Sequence, residues 1–547
     1  MKAVLIIHAL LIAAPSVAAQ LRDSIARRVD SVFVAFDKRT SPGCALGIYN
    51  AGKIVYARGY GSANLEHDIP ITPRTVFDLG STSKQFTAMS LMLLEQDGKL
   101  SLDDEVRRWI PELPAYPKPI TIRHLIHHTS GLRDYLTLMW LRGVNFDGVT
   151  TAGDALSLIV RQRETNFEPG SEYLYSNSGY FLLSEIVRRA SGKTLAEFAR
   201  ERIFAPLGMQ TTHFHDDHTM IVPNRATGYA PRDSGGFKIA MSGFEQVGDG
   251  SVLTSVEELA HWDRNFYEGR VGGRAVLDAM HVPARVASGR TLDYASGLVV
   301  GEHRGLRTVR HGGSWAGYRA ELLRFPEQRT SISVLCNHSR SGPGRLAERV
   351  ADVILRERLS PVAFVAHPMA TSVVVVTDGA AYTGTFRNAA TDETRTILLR
   401  GDSLFIDYGD GEPTLLRPLR NRRFLVEGSP REVRFPSRDS LVERVPNQPE
   451  ATFVRFERAS LSARDLDAYA GAYYSDELDV RWTVVRDSNG LVARIPGGDT
   501  IRLAPTVRDA FVGGGIVMTF QRSGSRITGA VLRAGRVRNI AFNRMNR

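Results

Sequence analysis

The chain has 547 residues, more than one ordinary hydrophobic core serves well, which predicts two or more domains. With 43% hydrophobic and 23% charged residues, its composition is that of a globular protein and disfavours a disordered, collagen-like or coiled-coil chain. The net charge of +10 comes almost wholly from scattered arginine, without a basic block, so nucleic-acid binding is not expected.

The first 19 residues have the pattern of an export signal. Lys2 precedes an apolar run over 3–14, and small residues follow as far as Ala19, where we expect cleavage. The run is shorter than the roughly 20 residues that span a bilayer. We therefore expect an exported chain, periplasmic or secreted, with no membrane span once the signal is removed.

The chain up to about residue 360 alternates helical and strand patterns. A helix is predicted over 21–39, followed by strands over 44–49 and 54–59 that a turn joins as a hairpin. Further helices are predicted over 81–96, 120–128, 178–190, 194–204 and 255–267, and further strands over 308–311, 318–325 and 331–336. One sheet built from both ends of this region, with helices inserted between, explains the order.

Beyond about residue 368 the pattern changes to short alternating strands with an internal repeat. Residues 382–386 recur as 469–473, and three further pairs share that offset of 87, namely Leu404 with Leu491, Pro418 with Pro505 and Phe424 with Phe511. Each unit suits a small antiparallel barrel or sandwich. Neither copy carries a clustered acid, histidine or nucleophile motif, so we interpret them as structural or substrate-framing modules.

The sharpest chemical signal is a serine three residues before a lysine, Ser81 and Lys84. On a helix the two side chains share a face, so the lysine amine can help remove the proton of the serine hydroxyl. A capped, exposed helix start is the alternative. The following residues are apolar nearly all round, which predicts a buried central helix. Because burying a lysine is costly, a lysine on such a helix indicates a function.

Two more clusters are candidates for the same site. Tyr175 and Asn177 follow a Pro-Gly turn and precede a helix, and tyrosine acts as a base only where nearby cations lower its pKa from about 10. His311 begins a His-Gly-Gly-Ser segment at the end of a strand, where Gly313 permits close backbone approach and the Ser314 N–H can complete an oxyanion hole with that of Ser81. Alone, each cluster is equally explained by a helix cap or a glycine turn.

Together, in the order S-x-x-K, Y-x-N and H-x-G, the clusters resemble the serine beta-lactamase and penicillin-binding-protein superfamily, in particular the class C beta-lactamase-like serine hydrolases of peptidase family S12. Three intervening segments strengthen the resemblance: residues 127–132 (HHTSGL), 167–170 (FEPG) and 206–209 (PLGM). The family's fold is an α/β sheet packed against a helical subdomain, with the active site between them. D-aminopeptidases of this group also carry two small antiparallel β-barrels, of the lipocalin-like type, after the catalytic domain.

The resemblance implies a role for each candidate residue. Ser81 is the acylated nucleophile, Lys84 activates it, and Tyr175 is the general base that returns the proton to the leaving group. Asn177, with Gly313 and Ser314, orients the substrate. His311 replaces the lysine of class C beta-lactamases, and a histidine near its usual pKa of about 6.5 weakens that positive charge or makes it dependent on pH.

The resemblance also gives domains and a function. We expect a signal peptide over 1–19, a hydrolase domain over 20–366, and β-barrel modules over 367–457 and 458–547. The function expected is a serine hydrolase without metal or cofactor, a D-aminopeptidase-like peptidase or an esterase acting on a small peptide, ester or beta-lactam-like substrate. The alternatives are a beta-lactamase or D-Ala-D-Ala carboxypeptidase, and a non-catalytic protein that binds cell-wall peptides. The oligomeric state is open, a homo-oligomer included.

The two cysteines, the histidines in and before the HTSGL segment, and Asp249 each allow a structural as well as a functional interpretation. In the family's sheet Cys44 and Cys336 lie on neighbouring strands, where side-by-side partners seldom form a good disulfide, so two buried thiols are at least as good an interpretation. Metal binding by His124, His127 and His128 is not expected, because no carboxylate or cysteine partners them at ligand spacing. For Asp249, a turn beside a helix cap is the preferred interpretation over substrate contact.

Overall fold

The computed structural model describes residues 21–360, 379–409, 412–419, 422–488 and 490–546. The predicted signal peptide and the predicted boundary near residue 366 lie outside these residues. Within the described ranges, none of the helices has the length and apolar character that crossing a membrane requires.

A six-stranded antiparallel sheet forms the centre of the first domain, and it is built from both ends of that domain as predicted. From edge to edge its strands are Val299–His303, Leu306–Trp315, Tyr318–Phe325, Thr330–Cys336, Cys44–Asn50 and Lys53–Tyr60. The hairpin turn has Ala51 and Gly52 at φ of 48° and 75°, the left-handed conformation that a tight hairpin requires at both positions. The first and last strands of the domain therefore become neighbours across the middle of the sheet.

Helices cover both faces of this sheet. Asp23–Val32 and Pro343–Ile354 bury an apolar stripe against one face, while Val256–Glu268 and the central helix Lys84–Gln96 pack on the other side. The remaining helical segments of the domain are Gly80–Ser83, Val106–Trp109, Ile122–Ile126, Tyr135–Arg142, Ala152–Val160, Asn177–Ser191, Leu195–Ala199, Arg200–Phe204, Ala205–Leu207 and Gly273–Met280. Short strands connect them: Ser62–Asn64, Ile69–Pro70, Phe77–Asp78, Val149–Thr150, His213–Phe214, Tyr229–Pro231, Phe237–Ile239, Gly243–Phe244 and Val252–Thr254.

The predicted elements are present, with differences at their ends. The helix predicted over 21–39 is only Asp23–Val32, because the chain turns away after Phe33. The strand predicted to end at His311 continues to Trp315, because Gly312 and Gly313 pair with Glu321 and Ala320 of the next strand. The His-Gly-Gly-Ser segment is therefore part of the sheet and not a turn after it.

The two cysteines form a disulfide, so the interpretation as two buried thiols is wrong. Cys44 and Cys336 face each other directly across the antiparallel pair, with Cα atoms 4.0 Å apart. Directly opposite positions in such a pair lie at either about 4.5 or about 5.5 Å, and the shorter kind brings side chains closer. The bond links the two ends of the first domain across 292 positions.

The tail folds into two closed eight-stranded antiparallel barrels, as predicted. The strands of the first barrel are Gly384–Arg387, Thr394–Arg400, Ser403–Asp407, Thr414–Pro418, Arg423–Val426, Glu432–Ser437, Ser440–Arg444 and Ala451–Arg455. Those of the second are Gly471–Ser475, Val480–Asp487, Gly490–Arg494, Thr500–Pro505, Ala510–Gly513, Ile516–Ser523, Arg526–Ala534 and Val537–Arg544. Helical turns Gly379–Tyr382 and Ala463–Asp467 precede them.

The repeat places matching residues at matching points of the two barrels. Leu404 and Leu491 are buried in the third strand of each, and Phe424 and Phe511 in the fifth. These side chains fill the interior of a small barrel, which explains why they recur at one offset.

The second barrel docks on the helical side of the first domain. Arg133, fully buried, pairs with Glu477 at 2.6 Å and donates to the backbone oxygens of Arg538 and Asn539 at 2.9 Å each. The Trp482 indole N–H donates to the Leu141 oxygen at 3.0 Å. A buried ion pair of this kind fixes where the barrel sits, because neither charge tolerates separation from the other.

Candidate active site

Ser81 lies in a helical turn that begins the central helix. The turn Gly80–Ser83 is held at its start by the Asp78 carboxylate, which accepts from the Gly80 N–H at 2.7 Å. The central helix is buried from Lys84 to Leu94, as its apolar sequence predicts. A polar pair at the end of a buried helix is therefore presented to a cleft from a rigid element.

Lys84 is fully buried, and its Nζ contacts three oxygens. It lies 3.1 Å from Ser81 Oγ and 2.9 Å from Asn177 Oδ1, and it also donates to the backbone oxygen of Asp249. A neutral amine has two N–H groups and one lone pair. Because the two carbonyl oxygens take both N–H groups, the lone pair is left facing the Ser81 hydroxyl.

Burial lowers the pKa of Lys84 to about 7, because removal from water disfavours the ammonium. The nearby carboxylate of Asp249 opposes this shift, and Arg536 adds to it. Burial also raises the pKa of Asp249, whose carboxylate accepts from the Tyr135 hydroxyl at 3.1 Å. The amine beside Ser81 is therefore available as a base at neutral pH.

Tyr175 lies over the same pair, but its environment differs from the prediction. Lys84 Nζ is 4.9 Å from the centroid of its ring, and Arg536 Cζ is 4.7 Å from that centroid. Burial nevertheless raises the pKa of Tyr175, and this effect exceeds the lowering by its neighbours Ser81 and Arg536. Because its pKa is raised, the Tyr175 hydroxyl is protonated at neutral pH, so it can donate a proton and is not a tyrosinate.

Asn177 is the first residue of its helix, and that helix start is tied to the loop before Tyr135. The Asp134 carboxylate accepts from the Asn177 N–H at 2.7 Å, and the Ser178 hydroxyl accepts from the Tyr135 N–H at 2.8 Å. The side-chain oxygen of Asn177 accepts from Lys84, which leaves the Nδ2 hydrogens of Asn177 for a ligand. The loop thus sets the position of both Asn177 and, through it, Lys84.

Gly313 lets the sheet strand approach the turn that carries Ser81. A Cβ added at Gly313 lies 1.7 Å from the Leu79 oxygen, so any other residue forces the strand away. The Thr82 hydroxyl donates to the His311 oxygen at 3.1 Å and completes the junction. This packing brings Ser314 to the same cavity as Ser81.

The imidazole of His311 is buried and neutral. Its Nδ1 lies 2.7 Å from the Gly312 oxygen, which accepts only, so Nδ1 carries the proton and Nε2 faces the Tyr294 hydroxyl at 3.1 Å. Burial and, after it, the charge of Lys84 lower the pKa of His311 to about 4. This side chain therefore supplies no positive charge between pH 5 and 8.

The predicted residues line one cavity of about 590 Å³. Ser81, Tyr175, Asn177, His311, Gly313 and Ser314 all contribute, and Lys84 lies beneath. Asp249, for which the preferred sequence interpretation was a turn beside a helix cap, also lines the cavity.

Four lining or supporting residues were missed by the sequence reasoning: Asp134, Tyr135, Trp315 and Arg536. Trp315 directly follows the predicted segment and was within reach of a sequence argument. His127 and His128 are buried beside the cleft, where His128 Nδ1 accepts from the Ser176 N–H at 3.1 Å.

The sheet with its helical subdomain, and the serine-lysine pair between them, are the arrangement of the beta-lactamase fold. A family model described as Beta-lactamase matches residues 25–356, more than half of the chain. The chain belongs to this family.

Several relatives match part of the chain. A D-aminopeptidase of Gluconobacter oxydans is 31% identical over 319 residues, covering 58% of this chain and 60% of the relative. Penicillin-binding protein 4* of Bacillus subtilis is 31% identical over 307 residues, covering 52% and 66%. The chain thus spans about three fifths to two thirds of the length of these relatives.

Solved structures show the same fold. The D-amino acid amidase of Ochrobactrum anthropi SV3 superposes with a TM-score of 0.51 at 25% identity, over 61% of this chain and 99% of the amidase. An octameric penicillin-binding protein homologue from Pyrococcus abyssi gives a TM-score of 0.56 at 22% identity, over 79% of this chain and 98% of that chain.

The pKa values in the site predict how hydrolysis depends on pH. If neutral Lys84 is the group that accepts the Ser81 proton, kcat/KM is expected to rise as pH increases through about 7 and to be low below about 6. His311→Gln leaves that midpoint within about half a pH unit, because His311 is already neutral there. The measurement is kcat/KM for a p-nitrophenyl ester from pH 5 to 9 in both proteins. A midpoint that moves by a full unit in the variant contradicts this assignment.

Proposed function

We propose that the chain is an exported serine hydrolase that opens an amide or ester bond through an acyl-enzyme on Ser81, with a D-aminopeptidase-like peptide or an ester as substrate. The observation that carries the proposal is the contact of 3.1 Å between Ser81 Oγ and Nζ of the buried Lys84. A buried amine with a lowered pKa beside a cleft serine is the arrangement that nucleophilic catalysis requires.

Acylation begins when Lys84 takes the Ser81 proton as Oγ attacks the substrate carbonyl carbon. The negative charge that develops on the carbonyl oxygen faces the backbone N–H groups of Ser81 and Ser314, our candidate oxyanion hole. Asn177 Nδ2 donates to a carbonyl of the bound substrate. In this scheme Lys84 has the role of first base that the resemblance assigns to Tyr175.

Breakdown of this intermediate requires a proton for the leaving nitrogen or oxygen. Tyr175 is placed beside Ser81 with its hydroxyl protonated, and we assign it the donation of that proton, with the Lys84 ammonium replacing it. A water molecule then attacks the acyl carbon and gives one proton to the neutral Lys84 amine. The bond from the acyl carbon to Ser81 Oγ breaks as Tyr175 donates its proton to Oγ, and the Lys84 ammonium returns a proton to Tyr175, which restores all three residues.

The neutral His311 favours peptidase or esterase over beta-lactamase activity. Class C beta-lactamases, which the sequence resembles, hold a lysine at this position, and the residue that replaces it here is uncharged at neutral pH. A non-catalytic binding protein is the remaining alternative. It gives no reason for a lysine buried in contact with the serine, since burial of an amine costs stability.

Export is part of the proposal and rests on residues 1–19, outside the described residues. The Cys44–Cys336 disulfide supports it, because disulfides persist in oxidising compartments and are rare in the cytosol. N-terminal sequencing of protein recovered outside the cytoplasm is expected to begin after Ala19. An N-terminus that still carries Lys2 contradicts this part alone.

A substrate panel tests the proposed activity. D-alanine and L-alanine p-nitroanilides, p-nitrophenyl acetate, a chromogenic cephalosporin and a D-Ala-D-Ala peptide are assayed with the full chain. We expect turnover of the D-anilide or the ester at least about 100-fold faster than of the cephalosporin, since the beta-lactamase cation is missing. Turnover of the cephalosporin alone favours the beta-lactamase alternative, and turnover of none favours a binding protein.

A further inference from the structure

A tight turn of the second barrel reaches the cavity that holds Ser81. It joins the strands Arg526–Ala534 and Val537–Arg544, and Arg536 is at its tip. The Asn166 side chain holds the turn at both ends, donating from Nδ2 to the Arg536 oxygen at 2.9 Å and accepting from the Arg538 N–H at 2.7 Å. The backbone at Arg536 is therefore fixed on the first domain independently of its side chain.

The Arg536 guanidinium lines the cavity while remaining accessible. Its side chain is 43% exposed, and its Cζ is 4.7 Å from the centroid of the Tyr175 ring. The nearest carboxylate oxygen is Asp134 Oδ2 at 3.7 Å, which already accepts from the Asn177 N–H. Most guanidinium N–H groups are thus left for another partner, since arginine carries five of them.

The other charged groups of the cavity are committed to protein partners. Lys84 is occupied by three oxygens, Asp249 by the Tyr135 hydroxyl, and Glu321 by Arg310 at 2.8 Å. His311 is neutral. Among the described residues that line the cavity, Arg536 is therefore the cation with hydrogen-bonding capacity to spare.

We infer that Arg536 is an anion-binding subsite of the cleft, and that the enzyme prefers amides or esters whose acyl part carries a carboxylate. Arginine matches a carboxylate with two parallel hydrogen bonds, which gives direction as well as attraction. This positive charge comes from the second barrel and lies over the Tyr175 ring, a position distinct from the one that His311 occupies on the sheet strand. The inference rests on the proposed hydrolase function and narrows its substrate.

The test uses one scaffold with three caps. The parent compound is the p-nitroanilide or the p-nitrophenyl ester of D-alanine, whichever the full chain hydrolyses faster. Its amine carries one of three caps: acetyl, which is neutral, succinyl, which is anionic, or β-alanyl, which is cationic. We expect kcat/KM for the succinyl compound to exceed that for the acetyl compound by about 10- to 100-fold, the range for a charged hydrogen bond, and the β-alanyl compound to be slowest.

Variants connect that preference to Arg536. Arg536→Gln is expected to abolish the preference for the succinyl compound, mainly by raising its KM. Arg536→Lys is expected to retain part of that preference, because lysine keeps the positive charge but lacks the two parallel N–H donors of the guanidinium. Arg526→Gln is the matched control, because Arg526 is an exposed arginine of the same barrel that contacts Asn546 outside the cleft. It is expected to keep the full preference.

The outcomes separate this inference from the proposed function. If wild-type protein is labelled at Ser81 by a fluorophosphonate but shows no preference for the succinyl cap, the inference is wrong and the hydrolase stands. Equal loss on all three caps in Arg536→Gln also overturns it, because that pattern marks an effect on Tyr175 or on folding. Absence of labelling and of turnover in the wild type defeats the proposed function itself.

Discussion

Ser81→Ala is expected to lower kcat by at least about 10³-fold, because it removes the atom that forms the acyl-enzyme. Ser81 is half-buried in the turn that begins the central helix. In the variant, Lys84 keeps its contacts with Asn177 and Asp249. The fold and the unfolding temperature should therefore change little. Steady-state hydrolysis of the best panel substrate, together with a thermal melt, measures both quantities.

Ser83→Ala is the matched control for this result. Ser83 lies on the same helical turn, but its hydroxyl accepts from the Val252 N–H at 3.0 Å inside the protein. Its loss costs about 1 kcal/mol of stability and leaves the nucleophile in place. Activity retained by Ser81→Ala and lost by Ser83→Ala contradicts the choice of nucleophile.

Arg133→Met is expected to destabilise the protein by about 3 to 5 kcal/mol, because it leaves the buried carboxylate of Glu477 without its partner. The same change removes two hydrogen bonds to the turn region of the second barrel. We expect a lower unfolding temperature in calorimetry, and a weaker discrimination between anionic and neutral substrates because Arg536 is then less firmly placed.

Arg142→Met provides the comparison on the same interface. Arg142 and Asp479 are 3.6 Å apart and both partly exposed, and such pairs contribute at most about 1 kcal/mol. Replacing Arg133 and Glu477 together by Met and Leu is expected to recover part of the lost stability. Equal melting temperatures for Arg133→Met and Arg142→Met contradict the importance assigned to the buried pair.

The sequence was sufficient for features that are local in the chain. The spacing of Ser81 and Lys84 and the apolar residues after them predict a buried helix with a polar pair at its start, and the helix has that form. The repeat offset of 87 predicts two equivalent modules, and matched side chains such as Leu404 and Leu491 lie inside matched barrels. In both cases the prediction rests on the spacing of residues along the chain, which the sequence shows directly.

Features that depend on burial could not be read from the sequence. Burial of the ring raises the pKa of Tyr175 and lowers that of His311. Neither sequence motif shows how deeply its ring is buried. The disulfide depends on a strand register that puts Cys44 directly opposite Cys336. Arg536 is more than 350 positions from Tyr175 in the chain and enters the cleft only because Arg133 and Asn166 dock the barrel there.

The central claim is that Ser81 is the residue that becomes acylated. The most direct measurement is peptide mass spectrometry of the full chain after reaction with a fluorophosphonate, in the wild type and in Ser81→Ala. We predict one adduct, on the peptide that contains Ser81, and none in the variant. An adduct that persists in Ser81→Ala, or that maps to another peptide in the wild type, contradicts the claim.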